Sequence, residues 1–480
     1  MKRTTAEVKK NLKLVLIGNG MTGFKFCEKY IKYKLFKKYD LTVFGEENLP
    51  AYDRVNLTKF FELDSPQQLC LAPASWYSQN KINLITGDPI VEINREEGTV
   101  RSLSGRIEKY DKLIFATGSN AFVPPLGGFH LKGVFVYRTI EDLRQIKALM
   151  PTIKKAIVIG GGILGLEAAR ALLNAGLSVT VVEAAAYIMS RQLDQEAAKI
   201  LSDSLKKLGL TIVTGAQTRQ IIGGAGVEGI ELDSGEIIPA NMVVISAGIR
   251  ARDELAKATG LEVNPRGGIV VDEYTQTSDK NIYAIGECAF SLGKIWGLAA
   301  PCFEMADILA SRLANIFKAF SGNSMFSKLK ILETKVAFFG DSLGENQTCF
   351  PAIYKDEQRG IYRRVNISPD GKYLLGGTLL GDISGFSALL QLYRNKTKIQ
   401  GSPESLVSEA SFTGLTKISD LPDTATICIC EQVSKGTITD AIRSDKLTRL
   451  DQVKASTGAG TGCESCASVI EELLEEMAKV

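Results

Sequence analysis

Residues 12–23 read LKLVLIGNGMTG, a short apolar run that closes on three glycines. A run of this length ending in glycine is the pattern of a buried parallel strand. The spacing Gly18-x-Gly20-x-x-Gly23 assigns each glycine a task. Gly18 makes the tight turn, Gly20 lets the backbone reach a pyrophosphate, and Gly23 lets the next helix pack closely on the strand, its N-terminus facing the phosphates. Met21 and Thr22 open that helix, which the pattern predicts over roughly residues 21–38. A second strand, LTVF at 41–44, leads to Glu46, with Glu47 beside it. Glu46 lies 28 residues beyond Gly18, one place later than a ribose-binding acid usually stands. The strand, loop, helix and acid together make a dinucleotide site the expectation, against an ordinary glycine turn.

The same pattern recurs. AIVI (156–159) runs into Gly160-Gly161-Gly162-Ile163-Leu164-Gly165, followed by Glu167 in a helix expected over 163–175, and SVTVV (178–182) runs into Glu183. A carboxylate at the end of that strand accepts hydrogen bonds from both ribose hydroxyls and repels a 2′-phosphate, which favours NADH over NADPH. Arg191 nearby reads as a surface charge rather than a phosphate ligand. Two further segments resemble each other, DKLIFATGSN (111–120) and NMVVISAGIR (241–250). Each is an apolar strand running into a small-small-Gly turn, ending at Gly118 and Gly248, where a backbone can approach a cofactor and the chain crosses between domains. Two strand–helix–strand starts in one chain predict two doubly wound α/β nucleotide-binding domains.

Composition sets the limits. The chain has 480 residues, 45% hydrophobic and 23% charged, with a net charge of +3. That length suggests about three domains, and the charge is too small to argue for nucleic acid. The Lys-rich stretches 2–13 and 29–38 read as solvated faces. No segment offers the about 18 uncharged apolar residues that a membrane span needs. The N-terminal stretch lacks the apolar core and cleavage site of a signal peptide, so the cytoplasm is the expected location. The one histidine, His130, excludes Rieske and bis-histidine haem chemistry, and it reads as structural or exposed.

Beyond residue 325 the character changes. TKVAFFG, GIYRRVNI and KYLLGGTLL alternate with turn residues and predict a small α+β domain over 325–400. Residues 401–424 are polar and read as a linker or short helix. A cysteine module follows over 425–480 and ends in an acidic amphipathic helix. Cys428 and Cys430 form a C-x-C, and Cys463 and Cys466 form a C-x2-C 33 residues further on, amid glycines. Four thiolates hold two irons bridged by sulfides, or one structural zinc, and spacing alone does not separate them. Cys27, Cys70, Cys288, Cys302 and Cys349 are scattered and read as small hydrophobes.

TSDKNIYAIGE (277–287) and Ala116-Thr117-Gly118 resemble signatures of the two-dinucleotide flavoprotein family of glutathione reductase and rubredoxin reductase. That resemblance implies FAD at the first fingerprint and NADH at the second, with Gly286 and Glu287 at the flavin ribityl chain. AYDRVNLTKFF (51–61) looks like the family segment that brings an Arg and a Lys to the flavin, here Arg54 and Lys59. A cation there stabilises an anionic reduced flavin, and Lys59 is the expected catalytic residue. The other reading makes both surface charges. No C-x4-C or single reactive cysteine stands in this stretch, so a thiol relay beside the flavin is not expected. ICICEQVSKGTI…TGAGTGCESC is similar to the bacterioferritin-associated-ferredoxin type of [2Fe-2S] domain, and a flavoprotein upstream favours iron over redox-inert zinc.

GNGMTG, FGEEN…YDRVNL, VYRTIEDL, GGGILGLEAA, RQLDQ, AGIRARDELA, PRGGIVVDE and the cysteine module together resemble, in that order, the N-terminal half of the NADH-dependent assimilatory nitrite reductase large subunit. The sirohaem and [4Fe-4S] half of that family has no counterpart before Val480, so nitrite reduction by this chain alone is not expected. The expected architecture is a discontinuous FAD-binding domain (1–120 and 250–324), an NADH-binding domain (121–249), an interface-type α+β domain and a small helical [2Fe-2S] domain. Hydride would pass from NADH to FAD, then single electrons through the cluster to a separate redox protein acceptor. The resemblance makes that acceptor a nitrite or nitrate reductase catalytic subunit. Alternatives are a reductase for rubredoxin or another small carrier, an electron-supplying docking partner of bacterioferritin, and an NADH oxidase with a zinc tail. A homodimer is left open.

Overall fold

The computed structural model describes residues 11–322, 326–331, 333–345, 348–399, 401–408, 421–428, 431, 433–461 and 466–478. In chain order it opens with strand β1 (Leu12–Ile17), helix α1 (Met21–Lys32), β2 (Tyr39–Phe44), β3 (Ile82–Ile85) and β4 (Lys112–Phe115). A second set follows: β5 (Val134–Val136), β6 (Lys155–Ile159), α2 (Ile163–Asn174), β7 (Ser178–Glu183), α3 (Gln195–Lys207), β8 (Thr211–Thr214) and β9 (Met242–Ile245). The chain then supplies β10 (Ile282–Ala284) and α4 (Ala299–Leu313). Contacts divide it into two compact units, Met1–Asn120 with Ile249–Gly322, and Ala121–Gly248 with Asn323–Val480.

The first unit is built on a five-stranded parallel sheet in the order β10-β4-β1-β2-β3. Leu14, Val15 and Leu16 are at most 1% exposed, because a strand covered on both faces needs apolar side chains pointing both ways. Helix α1 stops at Lys32, short of the expected 38. Lys34 adopts a left-handed conformation (φ 54°), and a 3-10 turn over Leu35–Lys37 carries Leu35 into the core. The Lys-rich face is not wholly solvated either. Lys29 is buried and pairs at 3.5 Å with Asp307 of α4, which also accepts from Tyr33 Oη at 3.1 Å. Removing either partner of such a buried pair is strongly destabilising, because the other is left uncompensated.

The second unit contains a five-stranded parallel sheet in the order β8-β7-β6-β9-β5, whose outer strand β5 precedes the others in the chain, whereas β10 of the first sheet follows them. It also contains an antiparallel sheet of β11 (Phe326–Ile331), β12 (Thr334–Gly340), β13 (Phe350–Asp356), β14 (Ile361–Ile367) and β15 (Leu374–Leu380), in the order β11-β12-β15-β14-β13, with helix α5 (Phe386–Arg394) against it. Asp194, which caps α3, accepts from Tyr362 Oη and from Arg364 Nη1 at 2.9 Å and so ties α3 to β14. In the stretch read as a linker, Pro403–Leu406 is a 3-10 turn, and the buried Arg363 donates to the Val407 carbonyl at 3.1 Å. The cysteine module is a short hairpin, β16 (Thr426–Cys428) with β17 (Val433–Ser434), and three helices, α6 (Lys435–Ser444), α7 (Leu450–Thr457) and α8 (Ala467–Met477). Among the described residues no helix is long and apolar enough to cross a membrane.

Candidate functional site

Each parallel sheet ends in the same glycine cradle. In the first, Ile17 stands opposite Phe44 and Phe115, and Gly18 N–H donates to the Phe44 carbonyl at 2.8 Å. In the second, Ile159 stands opposite Val182 and Ile245, and Gly160 N–H donates to the Val182 carbonyl at 2.8 Å. Gly18 (φ 111°) and Gly160 (φ 114°) turn so sharply that a Cβ on either would lie 2.2 Å from a carbonyl oxygen, of Ala116 or Ser246. A Cβ on Gly20 or Gly162, by contrast, meets nothing within 4 Å. These are the positions where backbone at a helix N-terminus faces open space, the geometry a pyrophosphate requires. A Cβ on Gly23 or Gly165 would lie 2.2 or 2.0 Å from the carbonyl oxygen of Gly18 or Gly160, so glycine lets helix and loop pack closely there. Ile163 and Leu164 are half-buried in the first turn of α2.

Around the first cradle several predicted residues converge. Gly118, with open space at its Cβ, follows Thr117, whose hydroxyl donates to the Arg252 carbonyl at 2.7 Å. Gly286 lies against Thr22, its Cβ direction 2.8 Å from Thr22 Oγ1. Glu287 accepts from Ser119 Oγ at 2.6 Å. Arg54 donates its backbone N–H to Met21 Sδ at 3.3 Å, stacks over the Tyr52 ring at 4.8 Å and pairs with Glu47. Burial alone would lower its pKa, but Tyr52, Glu47 and Glu287 outweigh burial and raise it, so the cation is held. Lys59 sits in the 3-10 turn Leu57–Phe61 and is exposed. Glu46 is also exposed and pairs with Arg252.

At the second cradle Glu183 is held, among the described residues, by backbone N–H groups. Its Oε2 accepts from Gly161 N–H at 2.6 Å and its Oε1 from Ala185 N–H at 2.7 Å. A carboxylate oriented in this way keeps a lone pair on each oxygen for a ribose diol. Glu167, one turn into α2, has its carboxyl pushed up to about 7 by burial, with Arg170 acting in the opposite direction. Gly248 (φ 124°) has open space at its Cβ. In the cysteine module Cys428 and Cys466 are buried thiols, the residue type a [2Fe-2S] cluster takes as ligand. Cys430 and Cys463 lie outside the described residues. Cys27, Cys288 and Cys302 are buried, Cys70 and Cys349 half-buried, and His130 is exposed.

Sequence reasoning passed over Arg252, Tyr52 and Ser119. Tyr52 stands inside the segment that carries Arg54, a signal that was available. Arg252 and Ser119 reach their carboxylates across 206 and 168 residues, and no local pattern marks them.

Residues 12–306 match the pyridine nucleotide-disulphide oxidoreductase family. The chain belongs to that family. As a pyridine nucleotide-disulphide oxidoreductase it is an FAD-dependent NADH oxidoreductase, and residues 426–476 match the BFD-like [2Fe-2S] binding domain, which adds the cluster. The large subunit of an NAD(P)H nitrite reductase from Klebsiella oxytoca is 41% identical over 96% of this chain, which covers 48% of that subunit. The assimilatory nitrate reductase electron transfer subunit of Bacillus subtilis is 35% identical over 98% of this chain and is covered over 60% of its own length. The chain thus spans about half the length of the curated relatives it matches. A ferredoxin reductase from Rhodopseudomonas palustris shares the fold, with a TM-score of 0.77 at 24% identity over 84% of this chain and 99% of its own.

Proposed function

We propose that this chain is the NADH-oxidising, electron-supplying part of a nitrite or nitrate reductase system, working in the cytoplasm with a separate redox protein. The observation that carries the reading is the pair of equivalent cradles, one furnished with Arg54 and Glu287, the other with Glu183. Support for the acceptor comes from the names of the two relatives above. When bound, FAD accepts a hydride from NADH and the [2Fe-2S] cluster passes electrons onward one at a time.

The residues then divide by task. Gly18, Gly20, Met21, Thr22 and Gly23 present helix α1 to the FAD pyrophosphate, and Gly160, Gly162, Ile163, Leu164 and Gly165 present α2 to that of NADH. Glu46 and Glu183 bind the two adenosine riboses, and Glu183 disfavours a 2′-phosphate. Ala116, Thr117, Gly118, Gly286 and Glu287 line the flavin side, and Gly248 and Glu167 line the nicotinamide nucleotide side. Arg54, held positive, and Lys59 offset negative charge on the reduced flavin. Cys428, Cys430, Cys463 and Cys466 hold the iron. No side chain has to move a proton for hydride to pass, which suits a chain with a single histidine.

The test is an anaerobic visible spectrum before and after one equivalent of NADH, with iron and zinc counted. We expect flavin bands and a broad iron–sulfur shoulder, both bleached by NADH, with about two irons per chain. Flavin bands with zinc in place of iron would leave a plain NADH oxidase or carrier reductase.

A further inference from the structure

The two cradles differ at one place. In the second, Val182 stands opposite Ile159 and the next residue is the acid, Glu183. In the first, Phe44 stands opposite Ile17, so Gly45 occupies the place of Glu183. The bulk has been exchanged across the gap between strand end and loop. A Cβ on Gly161 would lie 3.1 Å from Glu183 Cβ, and a Cβ on Gly45 would lie 3.1 Å from Asn19 Cβ. Asn19, whose Oδ1 accepts from Tyr77 Oη at 3.1 Å, fills at the first site the space that Glu183 fills at the second. With Asn19 leaving little room for a side chain at the strand end, the acid stands one residue on, at Glu46. There the loop N–H that orients Glu183 is replaced by a different donor, the Arg252 guanidinium, whose Nη1 bonds Glu46 Oε2.

Arg252 is well placed for this. Its backbone N–H donates to the Gly118 carbonyl at 2.9 Å and its carbonyl accepts from Thr117 Oγ1 at 2.7 Å, so it is anchored on the turn after β4. We propose that Arg252 is the positioning residue of the FAD adenosine ribose, doing for Glu46 what the Gly161 and Ala185 N–H groups do for Glu183. By engaging Oε2 it presents Oε1 to a ribose hydroxyl, and it offsets the desolvation of the carboxylate when the nucleotide covers it. The inference rests on the reading that the first cradle holds FAD.

The test uses the full chain freed of flavin, titrated with FAD and with an FAD analogue carrying 2′-deoxyadenosine. The unaltered chain should prefer FAD. Arg252→Ala should weaken FAD binding roughly tenfold and bring the two ligands close together, because an unoriented carboxylate no longer reads the hydroxyl. Arg252→Lys should recover part of the preference, and Glu46→Gln should make Arg252→Ala nearly silent. Equal weakening of both ligands, or unchanged FAD binding in Arg252→Ala, overturns the proposal. An unaltered chain that binds no FAD overturns the assignment of the first cradle instead.

Discussion

Glu167 is costly where it stands. Burial raises its pKa from 4.5 to about 7, with Arg170 opposing, so the folded chain holds a proton that the unfolded chain has already released. The associated stability is therefore complete below 4.5 and declines as pH rises toward 7. Glu167→Gln stays neutral throughout. Its stability should match the unaltered chain at low pH and exceed it above neutrality by roughly 1–3 kcal/mol. Urea unfolding at pH 5 and pH 8 measures this, and a difference that stays flat between the two would show that burial of the acid costs nothing. At this scale the sequence was informative where backbone geometry does the work. Glu183 follows its strand directly, and its partners are N–H groups within 22 residues. Glu46 was legible as an acid one place late, but not its partner, because an ion pair spanning 206 residues leaves no trace in spacing.

The strand–loop–helix element carries its own test. A Cβ on Gly23 would lie 2.2 Å from the Gly18 carbonyl oxygen, whereas one on Gly20 would meet open space. Gly23→Ala should therefore lower stability by about 1–3 kcal/mol through overpacking and reduce bound flavin with it. Gly20→Ala should leave the melting temperature of the flavin-free chain nearly unchanged and still exclude FAD, since its methyl would point into the open space that the proposed assignment gives to the phosphates. Thermal melts and flavin-to-protein ratios separate the two. If Gly20→Ala retained full flavin, the cradle would be misassigned. The glycine loops were readable because one residue of spacing fixes their geometry. The end of α1 was not. Leu35 and Phe36 continue an apolar pattern past Lys32, and only the left-handed Lys34 and burial of Leu35 in the sheet's core end the helix early.

For the whole molecule the expectation is modular electron flow. Cys466→Ser, at a buried thiol outside both cradles, should abolish the cluster absorbance and leave NADH reduction of the flavin within about twofold. Stopped-flow flavin bleaching under anaerobic conditions measures it, and loss of both signals would make cluster and flavoprotein one folding unit. The sequence by itself determined the two cradles, their order along the chain and the donor types of the C-terminal module, because each depends on residues close together in the chain. Tertiary structure alone decided that Lys29 is buried against Asp307, that Asp194 joins α3 to β14, and that Arg252 rather than a loop N–H orients Glu46. Burial and ion pairing are set by which distant segments the packing brings together, and one-dimensional spacing does not encode that.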